Sequence, residues 1–177
     1  MRNEIIKPGL IFSFILILLF FSCRSGKEPA GPSPAPGKEE MVELNRYLVQ
    51  KDREIIENYI LRKNLKMNES PGGLWYLIEN EGTGNLFKEN DKITMNYKCS
   101  LLDGTECYSS KTLGPKVIVL GRSGIEPGLN EGLRLLRPGS KATFILPPFL
   151  AFGFVGDGKK IPPRSIIVYE IEILSEI

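Results

Sequence analysis

Two stretches of period-two alternation limit the folds open to this chain. Ile93, Met95, Tyr97 and Cys99 are separated by single polar residues. Ile167, Tyr169, Ile171 and Ile173 keep the same period close to the end, with Val168 the one apolar residue between them. Period two puts one apolar row on one face of a strand, so both segments are half-buried strands that need a covering layer. Shorter strands are expected over 74–78, 117–120 and 142–146, bounded by Gly and Pro signals. Asp103-Gly104 marks a tight hairpin. The covering layer comes from 126–136. Pro127 suits a first helical turn, and Leu129, Leu133 and Leu136 fall on one face. Arg137-Pro138-Gly139 ends it. Residues 147–163 are a loop rich in Gly, Pro and Phe. The fold class is therefore α+β, an antiparallel sheet wrapped over one short helix.

Upstream, residues 39–67 hold good helix formers and no Gly or Pro. Leu44 and Leu48, Ile55 and Tyr59, and Ile56 and Ile60 are spaced by four. The polar run Lys51 to Glu54 divides the stripe into two short helices or one helix with a gap. The segment is either an arm for a homodimer or client, or a helix packing on its own domain. Before it, 25–38 is Pro-, Gly- and Ser-rich, the composition of a solvated linker. Leu10 to Phe21 is an almost pure apolar run behind Arg2 and Lys7, too short to span a bilayer and suited to a signal peptide. Ser22-Cys23 follows it at once.

The chain contains no His and three Cys, none in a CxxC pair. Imidazole catalysis and a four-ligand zinc cluster are thereby excluded, and no cofactor or metal is expected. A net charge of +2 gives no reason to expect a nucleic-acid partner.

Ser22-Cys23 resembles the lipobox of bacterial lipoproteins, which implies lipidation of Cys23. The order Tyr97, Asp103-Gly104-Thr105, Ser109-Ser110, Leu120-Gly121, Pro127-Gly128, Asn130 to Leu133, Pro138-Gly139, Leu146-Pro147-Pro148, Ala151-Phe152-Gly153 and Ile161-Pro162-Pro163 resembles the FKBP-type peptidyl-prolyl isomerases. With the anchor and tether, the layout resembles the gliding-motility-associated isomerase lipoproteins of Bacteroidota. The implied division is a lipoprotein signal peptide at 1–22, a tether at 23–38, a helical segment at 39–70 and an FKBP-type domain at 71–177.

The resemblance implies a membrane-tethered enzyme that speeds X–Pro isomerisation and assists folding of exported proteins. It would face the periplasm from the inner or outer membrane, and its partners would be proline-containing and unfolded exported chains. A homodimer through 39–67 is the further partner expected. Tyr97, Phe152 and the Glu126 backbone N–H carry the catalytic role. Cys107, Tyr108, Ile118, Ile125, Leu129, Ile161 and Tyr169 line a largely apolar slot. The Glu126 side chain itself is expected to serve as an anion at the helix start. Cys107 replaces a family Phe and Tyr108 a family Asp, and Phe152 lacks the hydroxyl of the family Tyr. These losses leave a second class open, a weakly active or inactive chaperone or partner-binding module of a surface or motility machinery. The resemblance places Cys99 and Cys107 on a pocket-side diagonal, a separation too long for a relaxed disulfide.

Overall fold

The computed structural model describes residues 37–122 and 124–174. The proposed signal peptide, the lipidation site Cys23 and nearly all of the tether lie outside the described residues. Helix α1 covers Lys38–Lys63. Strands follow at Asn68–Glu69 (β1), Trp75–Asn80 (β2), Lys92–Leu101 (β3) and Glu106–Ser109 (β4). One helical turn, α2, spans Ser110–Leu113 and leads to β5 at Lys116–Val119. Helix α3 covers Pro127–Leu133, β6 Lys141–Leu146 and β7 Ile167–Ile173. The sheet has seven strands in the order β1-β2-β6-β7-β3-β4, with β5 also paired to β3. All pairings are antiparallel.

The alternation sorts β3 and β7 as expected. Tyr97 pairs with Ile171 and Cys99 with Tyr169 across the two central strands. Phe144 of β6 pairs with Tyr169. These rows, with Met95, Leu146 and Ile173, form one core with Leu129, Leu133 and Leu136 from α3 and the turn after it. The helix lies very close to the sheet. A methyl group added at Gly132 would sit 2.5 Å from the Phe144 ring, and one at Gly128 would sit 2.7 Å from Leu146. Asn130 accepts a hydrogen bond from the Gly121 N–H at 2.8 Å, which ties the helix to the end of β5.

The opposite face of the sheet is divided. One half is salt-laced and wet: Lys98 pairs with Glu170 at 2.6 Å and Lys141 with Glu172 at 2.9 Å. The other half presents Ile145 and Val168, and α1 covers it with Ile56, flanked by Tyr59 and Ile60. Arg164 donates to both Asp52 oxygens at 2.8 and 2.9 Å, fixing α1 to the β6–β7 loop. Burial raises the Asp52 carboxyl against the opposing pull of Arg164. The helix is continuous through the polar run 51–54, because these residues pair along its surface, as Lys51 does with Glu54 at 2.8 Å. It stops at Lys63, short of Met67, where Asn64 takes a left-handed conformation and the Leu65 N–H bonds back to Ile60. No described helix is long and apolar enough to cross a membrane.

Ile56 is fully buried whereas Leu61 is 76% exposed on the same helix. Ile56→Ala should therefore cost about 2–5 kcal/mol, and Leu61→Ala within about 0.5 kcal/mol of nothing. Urea denaturation of the two variants measures the difference.

Candidate functional site

The site forms where the N-terminal end of α3 meets the middle of β3 and β7. Pro127 disfavours helical dihedrals in the residue before it. Glu126 accordingly sits at φ −59°, ψ 135°, and the helix begins one residue later. The Glu126 carboxylate makes no capping bond. Instead it turns inward, and Oε1 accepts a hydrogen bond from the Tyr169 hydroxyl at 2.7 Å. The expected helix-start anion is thus a buried group, its side chain only 8% exposed. Its second oxygen, Oε2, is buried without a hydrogen-bond partner. Lys116 stands 3.9 Å from that oxygen, close enough for an ion pair and beyond hydrogen-bond reach.

Around this polar centre lie the aromatic and aliphatic walls. The Tyr97 and Tyr169 rings are 6.4 Å apart and tilted by 48°. Leu129, Cys107 and Ile161 are buried in the same cluster, and Ile125 and Phe152 pack against it while partly exposed. The backbone N–H and carbonyl of Tyr97 are both bonded to the Ser110 hydroxyl, at 3.1 and 3.3 Å, so α2 fixes β3 at this point. Burial lifts the Tyr97 hydroxyl above its usual range, and its neighbours Cys99 and Glu126 push the same way. Tyr169 is raised further, by burial first and then by the Glu126 charge. It is a neutral donor at physiological pH.

Ile118 faces Ile93 across the β3–β5 pair and is buried in the same cluster as Leu129, Cys107 and Ile161. Lys116, two residues earlier on the same face of β5, is the residue that reaches Glu126. Tyr108 stands at the rim, its ring under the Lys160 ammonium at 5.3 Å. Its hydroxyl donates a short hydrogen bond to Asp157. A carboxylate from the loop after β6 thus stands beside position 108. Burial raises the Asp157 carboxyl, but the Tyr108 hydroxyl and the N–H groups of Ile161 and Lys159 outweigh it and hold the group below its ordinary value. Lys116 and Asp157 were missed in the sequence. The only signal for Lys116 was its period-two spacing from Ile118. Asp157, in a loop, left none.

Cys99 and Cys107 are free and buried. Cys99 pairs in register with Tyr108, and the Cys107 sulfur lies 3.7 Å from the Lys160 carbonyl oxygen. Burial pushes the Cys99 thiol up to about 12, partly offset by the Tyr169 hydroxyl. Cys107 is raised by the same cause. No group of three or more metal-ligating side chains is found among the described residues. The arrangement offers an apolar wall, hydroxyl donors, a buried carboxylate and no activated nucleophile.

A family profile for FKBP-type peptidyl-prolyl cis-trans isomerases matches residues 84–174. The chain is 35% identical over 124 residues to the FKBP-type peptidyl-prolyl cis-trans isomerase FkpA of Escherichia coli (strain K12), covering 70% of this chain and 44% of that protein. It is 35% identical over 117 residues to the FKBP-type 22 kDa peptidyl-prolyl cis-trans isomerase of the same strain, covering 64% of this chain and 56% of that one. The chain thus spans about half the length of these curated relatives. The crystal structure of FkpA from Escherichia coli superposes with a TM-score of 0.62 at 26% identity, covering 98% of this chain and 83% of that one.

With pKa values raised by burial, both core thiols are protonated at pH 8. A thiol reagent at that pH should leave Cys99 and Cys107 unmodified in the native protein and label both in guanidinium. Mass spectrometry of the two peptides reads the outcome.

Proposed function

Since the chain belongs to the FKBP-type peptidyl-prolyl cis-trans isomerase family, we propose that it accelerates rotation about X–Pro bonds in partly folded exported proteins. The barrier to that rotation is lost amide resonance, roughly 18–20 kcal/mol. No bond of the chain breaks, so the reaction calls for neither nucleophile nor metal. A twisted amide carries less charge separation than a planar one, and a water-poor wall therefore favours the transition state. Each tenfold in rate corresponds to about 1.4 kcal/mol. The observation that carries this reading is the gathering of Tyr97, Ile125, Leu129, Phe152, Ile161 and Tyr169 beside the extended Glu126. In this reading the Glu126 N–H donates to the substrate carbonyl, and Tyr97 and Phe152 close on the proline. Cys107 and Tyr108 take the flanking residue.

The rest of the chain fits a tethered folding factor. Residues 1–22 act as the lipoprotein signal, Cys23 carries the lipid, and 23–38 lift the segment 39–70, which holds α1 and β1, and the domain 71–177 off the membrane into the periplasm. Met41, Val42, Leu44, Tyr47 and Val49 on α1 are each about half exposed, which suits a homodimer through 39–67.

One observation favours a second reading. The centre of the slot holds a carboxylate and a small Cys107 in place of a purely apolar lining. A domain of this kind could grip unfolded chains with little turnover, as a chaperone or as part of a surface or motility machinery.

A protease-coupled isomerisation assay on short X–Pro peptides decides between them. The expected result is clear acceleration by the purified chain, reduced at least about tenfold in a Tyr97→Ala/Phe152→Ala double variant. A folded chain with no acceleration would sink the enzyme reading. Suppression of aggregation of an unfolded client would then establish the second.

A further inference from the structure

Glu126 Oε2 is a buried anionic oxygen with no hydrogen-bond donor. A group of this kind is costly when left unmet, and it binds strongly to a donor that carries positive charge. Its partner oxygen is already taken by Tyr169. Lys116 falls short of a hydrogen bond at 3.9 Å, and its side chain is 35% exposed, so its ammonium keeps contact with water. The carboxylate is therefore held in place from one side, with its second oxygen unmet on the other.

Resting on the isomerase reading above, we propose that Glu126 makes this slot select proline peptides with a Lys or Arg next to the proline, Oε2 being the acceptor for the cationic head. Position supports the choice. The residue whose backbone N–H would meet the substrate carbonyl is the same residue whose carboxylate is buried against Tyr169 at the base of the slot. The side chains flanking the X–Pro bond are thus the ones within its reach. The long apolar stems of Lys and Arg can lie along Ile125 and Phe152, which are partly exposed beside the core, while the head seeks the carboxylate. The same charge repels an acidic residue there, so the discrimination acts in both directions. Lys116 holds the oxygen's charge in the unliganded protein and gives way to the substrate cation.

The test uses the full chain and four peptides differing only before proline: Lys, Arg, Leu and Glu. The expected kcat/KM is about tenfold higher for Lys–Pro and Arg–Pro than for Leu–Pro, with Glu–Pro poorest. Glu126→Gln should bring the Lys-to-Leu ratio close to one, and Glu126→Asp should retain the cationic preference. Raising the salt concentration should shrink the ratio in the unaltered chain, an arm that needs no variant to fold. A Lys-to-Leu ratio near one in the unaltered chain, or one untouched by both salt and Glu126→Gln, overturns the proposal. Absence of turnover on all four peptides ends the isomerase reading alone. Fluorescence anisotropy with the same labelled peptides then decides charge selection. A Kd about tenfold lower for Lys than for Leu, lost in Glu126→Gln, supports it, and equal Kd values overturn it.

Discussion

The close seating of α3 on the sheet sets the rest of the molecule. Gly128 and Gly132 remove the side chains that would hold the helix away, and Leu146 and Phe144 fill the space directly beneath. Packed at this distance, a helix of seven residues buries Leu129 and Leu133 completely. The start of the helix is then fixed against β3 and β7, and the site lies at that junction. The Asn130 bond to Gly121 holds β5 to the same helix. Lys116 is carried on that strand, so its distance from Glu126 follows from the same packing.

The site itself combines two demands that pull against each other. An apolar wall suits a twisting amide, yet Glu126 brings a carboxyl group into its centre. The conflict is moderated by placement. Tyr169 meets one carboxylate oxygen, Lys116 balances the charge at longer range, and Tyr97, Ile125 and Phe152 keep the outer part aromatic and aliphatic. At the rim, the Tyr108 hydroxyl on the strand is bonded to the Asp157 carboxylate of the loop after β6.

The second layer follows a different logic. The face of the sheet away from α3 is half charged ladder and half apolar patch, and α1 covers only the apolar half. Ile56 with Tyr59 and Ile60 beside it, the Asp52–Arg164 pair and the bonds from Arg53 to Glu69 of β1 hold it there. Much of the remaining apolar surface of α1 is exposed, consistent with a helix that serves its own domain with one stripe and leaves another free.

The strands, the hairpin at Asp103-Gly104, the short helix and the motif order were legible in the sequence because each depends on local rules: period two, period 3.6, and glycine or proline at a turn. The side of α3 that meets the sheet was legible for the same reason. What the sequence left hidden were contacts between residues distant along the chain. Glu126 read as an anion at the helix start, because nothing near it in sequence announces that Tyr169, forty-three positions away, offers a hydroxyl at 2.7 Å. Ile118 and Lys116 share one strand face, and only the pairing of β5 with β3 decides which is core and which reaches the site. Local patterning thus determined which elements form and which faces they bury. The charge at the heart of the slot was decided by tertiary packing, since a carboxylate takes its environment from whatever the fold brings beside it.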